Sequence, residues 1–172
     1  MKATIPNARK STLHATRNDL PEAARAKLVD LLNQSLAWSI DLNLQAKQAH
    51  WNVKGPNFIA LHELFDEVVD ELFEHADDLA ERAVELGGTA LGTARIVART
   101  SRLPEYQFDI DSGRQHVIAL SAVLAKFGSS ARAGIEAANG LGDADTADLF
   151  TEISRGVDKL LWKVEAHVQT KD

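Results

Sequence analysis

Apolar side chains recur at three- and four-residue intervals through most of the chain, the period of helices that turn one face to a core. Leu28, Leu31, Leu32, Leu36, Ile40, Leu44 and Ala46 form a first stripe, which runs to about Trp51 and is stopped by Gly55-Pro56-Asn57. Asp19-Leu20-Pro21-Glu22 predicts its start, with Asp19 as N-cap and a proline and an acid in the first turn. A broader stripe joins Leu61, Leu64, Phe65, Val68, Val69, Leu72, Phe73, Ala76, Leu79, Ala80 and Ala83 between Phe58 and Leu86, closed by Gly87-Gly88. A link from Thr89 to Ile110 follows, and a short helix is expected inside it at Ala94 to Arg99. Asp111-Ser112 opens a third long helix through Val117, Leu120, Val123, Leu124 and Phe127 to Asn139-Gly140. Asp143 to Asp145 caps a fourth, carrying Leu149, Phe150, Ile153, Val157, Leu160, Leu161 and Val164. No segment alternates as a strand would. The pattern predicts an all-α four-helix bundle over residues 19–172, with a short extra helix in the single long connection between helices two and three.

Residues 1–18 have no such periodicity and read as a flexible basic arm, with Lys2, Arg9, Lys10 and Arg17 and no acid. The remaining chain has 15 Lys and Arg against 25 Asp and Glu, a charge of −10, so the formal −6 of the whole divides into a basic arm and an acidic body. An apolar content of 45% with four prolines excludes global disorder. The lack of cysteine excludes disulfides, thiolate nucleophiles, thiolate-bound zinc and Cys-ligated iron–sulfur clusters. No apolar run is long enough for a membrane span or a signal-peptide core, so a soluble, cytoplasmic protein without a membrane partner is expected. The acid-free start also fits a short transit peptide.

Charge is most concentrated on the second helix. Glu63, Asp66, Glu67, Asp70, Glu71, Glu74, Asp77, Asp78 and Glu81 lie between His62 and Glu81 without one Lys or Arg. An exposed helix face ordinarily sets bases three or four residues from its acids, and like charges at that spacing are unfavourable. The pattern therefore predicts compensation by cations from outside the chain. His62 and Asp66, and again Asp77 and Glu81, are four apart and share a face, as two ligands of one metal would. Asp66 and Asp77 return to within roughly 20° of the same face, yet the helical rise parts them by about 16 Å. One ion cannot bind both within a chain. Crossing the helix with its own copy near Glu71 and Leu72 brings His62 and Asp66 of one subunit to Asp77 and Glu81 of the other, twice per dimer. No histidine has a glutamate three residues before it, so the Glu-x-x-His di-iron centre within one chain is disfavoured.

Lys47-Gln48-Ala49-His50-Trp51-Asn52, Gly55-Pro56-Asn57-Phe58-Ile59-Ala60-Leu61-His62-Glu63, Asp66, Asp77-Asp78-Leu79-Ala80-Glu81-Arg82-Ala83-Val84-Glu85-Leu86-Gly87-Gly88, Asp145-Thr146-Ala147-Asp148 and Ser154 to Trp162 closely resemble the Dps family of DNA-binding proteins from starved cells, ferritin-like mini-ferritins. The resemblance covers nearly the whole chain from Asn18 onward. It implies a hollow homo-dodecamer that oxidises Fe2+ with hydrogen peroxide, less well with oxygen, at two-iron intersubunit sites, and stores ferric oxide inside. Zinc or another divalent ion can substitute at those sites. By motif position the metal ligands are His50, His62 and Asp66 of one subunit with Asp77 and Glu81 of its two-fold partner; His50 is added by the family alone, the residues themselves leaving it open as a packed core histidine. Trp51 is a candidate electron donor, or an aromatic that packs the site wall. Glu63, Glu67, Asp70 and Glu74 would seed mineral in the cavity, unless they are plain solvated surface. Asp143, Asp145 and Asp148 would line a three-fold pore, although capping accounts for one of them equally well. Lys2, Arg9, Lys10 and Arg17 are the candidate contacts to double-stranded DNA, which would make the protein nucleoid-associated. The competing reading is an architectural DNA-compacting protein without significant ferroxidase activity.

Overall fold

The computed structural model describes residues 13–170. Five helices fill them: α1 (Glu22–Asn52), α2 (Phe58–Glu85), α3 (Ala94–Thr100), α4 (Gly113–Gly140) and α5 (Ala144–Glu165). α1 packs along α2 and α4 along α5; the two hairpins close the bundle through α1 against α4 and α2 against α5, while α3 leans on α1. Among the described residues there is no strand, and Lys54 and Ser112 form one isolated bridge that ties the two hairpins together at the end of the bundle where α1 turns into α2. No helix is long and apolar enough to cross a membrane.

The core is one continuous cluster in which Phe65, Phe127 and Phe150 are the largest fully buried side chains and Leu28, Leu32, Leu72, Leu79, Leu120 and Leu124 lie between them. Burying a leucine or phenylalanine contributes about 1.5–3 kcal/mol, so this cluster, more than helix propensity, holds elements of this length together. Polar side chains of α1 fasten the long crossover. Asn33 donates to the Thr89 carbonyl and accepts from Leu91 N–H, Gln34 donates to the Thr100 carbonyl, and Gln45 donates to the Pro104 carbonyl. A link of that length can thereby follow α1 closely without helical hydrogen bonds of its own.

Ser112 and Gln115 form a reciprocal capping box at the start of α4, and Asp143 caps α5 by accepting from Thr146 N–H. Two expectations are corrected. The N-cap of α1 is Pro21, with no side-chain cap; the Pro21 carbonyl accepts from Ala24 and Arg25, and Asn18 Oδ1 takes the Leu20 N–H in a turn of its own, so Asp19 caps nothing. Leu44 and Phe73, read as core, are 55% and 65% exposed. They border an apolar groove with Leu36, Ile40, Ala76, Asp77 and Ala80, since the apolar stripes of α1 and α2 are wider than the surface that the bundle itself covers.

Residues 13–18 lie on the bundle. Leu13 packs against the core and His14 N–H donates to the Gly87 carbonyl at 2.7 Å. Gly87 has φ +86°, and a Cβ there would stand 2.6 Å from the His14 carbonyl oxygen, so a glycine is required both by the turn that ends α2 and by the strand of chain crossing it.

Candidate metal centre

The last turn of α1 carries His50, which only the family resemblance adds to the site, and the first turns of α2 carry His62, which the sequence pairs with Asp66. Their rings stack with centroids 3.6 Å apart. His50 Nδ1 lies 2.8 Å from the His62 carbonyl oxygen and His62 Nδ1 lies 2.9 Å from the His50 carbonyl oxygen. A carbonyl can only accept, so each Nδ1 carries the proton and donates it. Each Nε2 is left as the imine nitrogen with a free lone pair. A metal-binding imidazole is held in this way, its other ring nitrogen donating to a backbone carbonyl or carboxylate that fixes tautomer and orientation. The exchange is local in origin, because Val53 to Asn57 reverse the chain and bring the last turn of α1 against the first turn of α2.

Asp66, one turn further along α2, stands with an oxygen 3.4 Å from His50 Nδ1 and 2.5 Å from Lys47 Nζ. The Lys47 hydrogen bond holds its carboxyl below the ordinary range, against the opposing effect of burial, so it is ionised at neutral pH. Two imidazole nitrogens and a carboxylate oxygen, with no sulfur, are a donor set for Fe2+, Zn2+ and similar ions. Among the described residues, no three His, Asp or Glu side chains converge on a metal position within one chain. Asp77 and Glu81 are exposed on α2, three turns from Asp66. Trp51 is 64% exposed beside His50.

The other sequence-derived sites fare unequally. Glu63, Asp70 and Glu74 are exposed, but Glu67 is bonded to Lys163 of α5. Together with Lys47 on Asp66 this corrects the expectation that the acids of α2 are compensated only from outside the chain: two of the nine have lysine partners on neighbouring helices, where spacing along α2 cannot reveal them. Asp143 is 3% exposed and does not stand free to line a pore. Its carboxylate accepts from Thr146 and from Arg82 Nη2 at 2.9 Å. Burial raises its pKa, but the Thr146 and Arg82 hydrogen bonds prevail and hold it below the ordinary range. Asp145 and Asp148 are exposed. With Asp78, Glu81, Glu85 and Glu152 they line a groove around Arg82, between the C-terminal half of α2 and the start of α5. This acidic groove, which leads from the first turn of α5 to Glu81, was not legible in the sequence because its two walls belong to helices far apart along the chain. Arg17 is exposed; Lys2, Arg9 and Lys10 lie outside the described residues.

The model of the ferritin-like domain matches residues 29–172. A DNA protection during starvation protein of Agrobacterium fabrum is 48% identical over 158 residues, covering 92% of this chain and 98% of that protein. A protein of the same description from Mycolicibacterium smegmatis is 32% identical over 151 residues, covering 88% and 82%. Among solved structures, DpsA14 from Streptomyces coelicolor superimposes with a TM-score of 0.89 at 33% identity, covering 94% of this chain and 96% of that one.

Proposed function

From the premise that this chain belongs to the Dps family of ferritin-like proteins, we propose that it is an iron-storing ferroxidase that uses hydrogen peroxide in preference to oxygen. The observation that carries this reading is the reciprocal locking of His50 and His62, which presents two imine nitrogens beside an ionised Asp66. Fe2+ is the substrate. His50, His62 and Asp66 bind it from one subunit, and Asp77 and Glu81 of a second copy of the chain complete the site across a two-fold axis. The apolar groove that contains Asp77 supports that placement, since a partner seated on Leu44 and Phe73 covers apolar surface and delivers its ligands in one step. Carboxylate oxygens favour the ferric over the ferrous charge, which drives the oxidation forward. Two Fe2+ lose one electron each to one peroxide molecule, and hydrolysis to ferric oxyhydroxide releases four protons. Lys47 must give up Asp66 as Fe2+ arrives, because the ion takes the carboxylate oxygen that the ammonium group holds.

In the hollow dodecamer that we infer, Asp145 and Asp148 draw Fe2+ in and the acidic groove conducts it to Glu81, while Glu63, Asp70 and Glu74 face the mineral. Trp51 stands close enough in sequence to His50 to return an electron when oxidising equivalents escape the site. The test is the rate of ferric-oxide absorbance after anaerobic Fe2+ loading and peroxide addition. Asp66→Ala and Glu81→Ala should each lower it at least tenfold, and mixing the two variant chains should restore part of the rate, because one of the two sites in a mixed dimer keeps all its ligands. An unchanged rate in both single variants defeats the reading.

We further infer that the arms of the assembly hold double-stranded DNA by avidity, through Lys2, Arg9, Lys10 and Arg17, and that the shell protects it by removing Fe2+ and peroxide together. The relatives' description as DNA protection proteins favours this. Replacing Lys2, Arg9 and Lys10 by Gln should abolish gel retardation of linear DNA at low salt while leaving iron oxidation unchanged. A chain that retards DNA and shows no peroxide-dependent oxidation would be an architectural DNA-compacting protein instead.

A further inference from the structure

His75 is a histidine that the metal centre does not use. It sits on α2 facing α5, is 5% exposed, and its Nε2 has no hydrogen-bond partner among the described residues. An unpaired buried polar atom of this kind is unfavourable by about 1–3 kcal/mol unless something meets it. The nearest oxygen, Oε1 of Glu71, is 3.9 Å away, too far for a hydrogen bond. The space between them is kept open by Gly156 of α5: a Cβ on that residue would stand 2.8 Å from His75 Nε2 and 2.9 Å from Glu71 Oε1. The missing side chain leaves a gap of about one atom that touches both groups. The charges that bear on the ring come from Glu71, Asp78, Glu152 and Glu74, all of them acids.

We propose that the seam between α2 and α5 holds a second metal site within each chain, in which His75 Nε2 and Glu71 Oε1 bind a divalent first-row transition metal ion and the cleft over Gly156 admits it. A bond to each ligand is about 2.1 Å, so the 3.9 Å separation is just under the sum of two such bonds. A shift of about half an ångström in the half-exposed Glu71 side chain brings the pair to a tetrahedral angle. With two protein ligands the remaining positions are filled by water, and Glu152 and Asp78 neutralise the ion from the second layer. Imidazole with carboxylate selects Fe2+, Zn2+, Mn2+ or Co2+ over Ca2+ and Mg2+. The site is built from two helices of one chain and stands independently of the two-fold ferroxidase reading.

The experiment uses the full assembled protein carrying Asp66→Asn and Glu81→Gln, which removes one of the proposed ligands on each side of the intersubunit site and leaves this seam untouched. Crystals soaked in Co2+ should show anomalous density about 2.1 Å from His75 Nε2. Equilibrium dialysis should find about one Co2+ per chain that is lost when Glu71→Gln is added. Gly156→Ala, which puts a methyl group into the gap while keeping both ligands, should abolish the density in the same way. Glu71 is half-exposed and the added methyl of Gly156→Ala meets only the ends of the His75 and Glu71 side chains, and far-ultraviolet circular dichroism with a denaturant titration verifies that each variant keeps its fold. No anomalous density at His75, an ordered water only, or Co2+ binding that survives Glu71→Gln and Gly156→Ala overturns the proposal, whatever the fate of the ferroxidase.

Discussion

Lys47 holds the carboxylate that a metal ion needs, and the pair is open enough to water to be displaced: the lysine side chain is 29% exposed and the Asp66 side chain 45%. Ion pairs of that exposure are worth about 0.2–1 kcal/mol. Lys47→Ala should therefore tighten Zn2+ binding at the intersubunit site by about two- to fivefold in calorimetric titration. A weakened affinity would show that Lys47 positions Asp66 and does not compete for it. Asp143 is the opposite case, a carboxylate consumed by structure. It satisfies the first turn of α5 and bonds Arg82, which keeps its second partner Glu85, so Asp143→Ala removes a cap and a buried hydrogen bond and should destabilise the fold by about 2 kcal/mol in urea. Its folded-state pKa lies below the ordinary value of 3.8, so its contribution is present above that value and fades as pH falls through the lowered one. Acid unfolding of the parent should be steeper below pH 4 than that of Asp143→Asn. Side-chain roles of this kind were half legible. Asp143 carries a cap signature and a pore signature with one set of atoms, and a sequence cannot say which it serves until Arg82, 61 positions away, is placed against it.

At the scale of elements, the start of α4 at Ser112 and the Asp143 cap of α5 were read correctly from sequence, while the return bond from Gln115 to Ser112 emerges only in the structure. The misplaced start of α1 has a physical cause: the Pro21 carbonyl already closes the first turn, which leaves Asp19 outside the helix. The acidic face of α2 was misjudged because its lysines stand on α1 and α5, and no rule of spacing within one helix reports them. Close approach between helices was likewise invisible. Gly134 of α4 lies so near α5 that a Cβ would meet the Phe150 ring at 2.8 Å. Gly134→Ala should destabilise the protein by about 1–3 kcal/mol in denaturant despite the better helix propensity of alanine, through overpacking of the α4–α5 contact. A neutral or stabilising result would mean that α5 can move outward at little expense.

For the whole molecule, the bundle and its single crossover were legible because four long apolar stripes and one long link leave few arrangements. The neighbourhood of His62 and Asp66 at the start of α2 was legible in the sequence, while the division of a metal site between two chains belongs to the proposal. What covers the groove was not, since an apolar stripe looks the same whether it meets its own bundle or another copy. Phe73→Glu places a charge on that face and should lower the particle mass in sedimentation while helical content persists; a particle of unchanged size would mean that the groove is not a subunit contact. The crossing of residues 13–18 over Gly87 bears on how the basic arm is to be studied. A truncation that stops after residue 12 removes Lys2, Arg9 and Lys10, whereas one that stops after residue 17 also removes Leu13 and the His14 N–H that serves the Gly87 carbonyl. The longer deletion should melt at a lower temperature than the shorter, and a loss of DNA retardation seen with it would confound a missing phosphate contact with a frayed end of α2. Leu13 and His14 thus tie the end of the arm to the last turn of α2, so the DNA contacts proposed for the arm would be anchored to the helix that carries Asp66, Asp77 and Glu81.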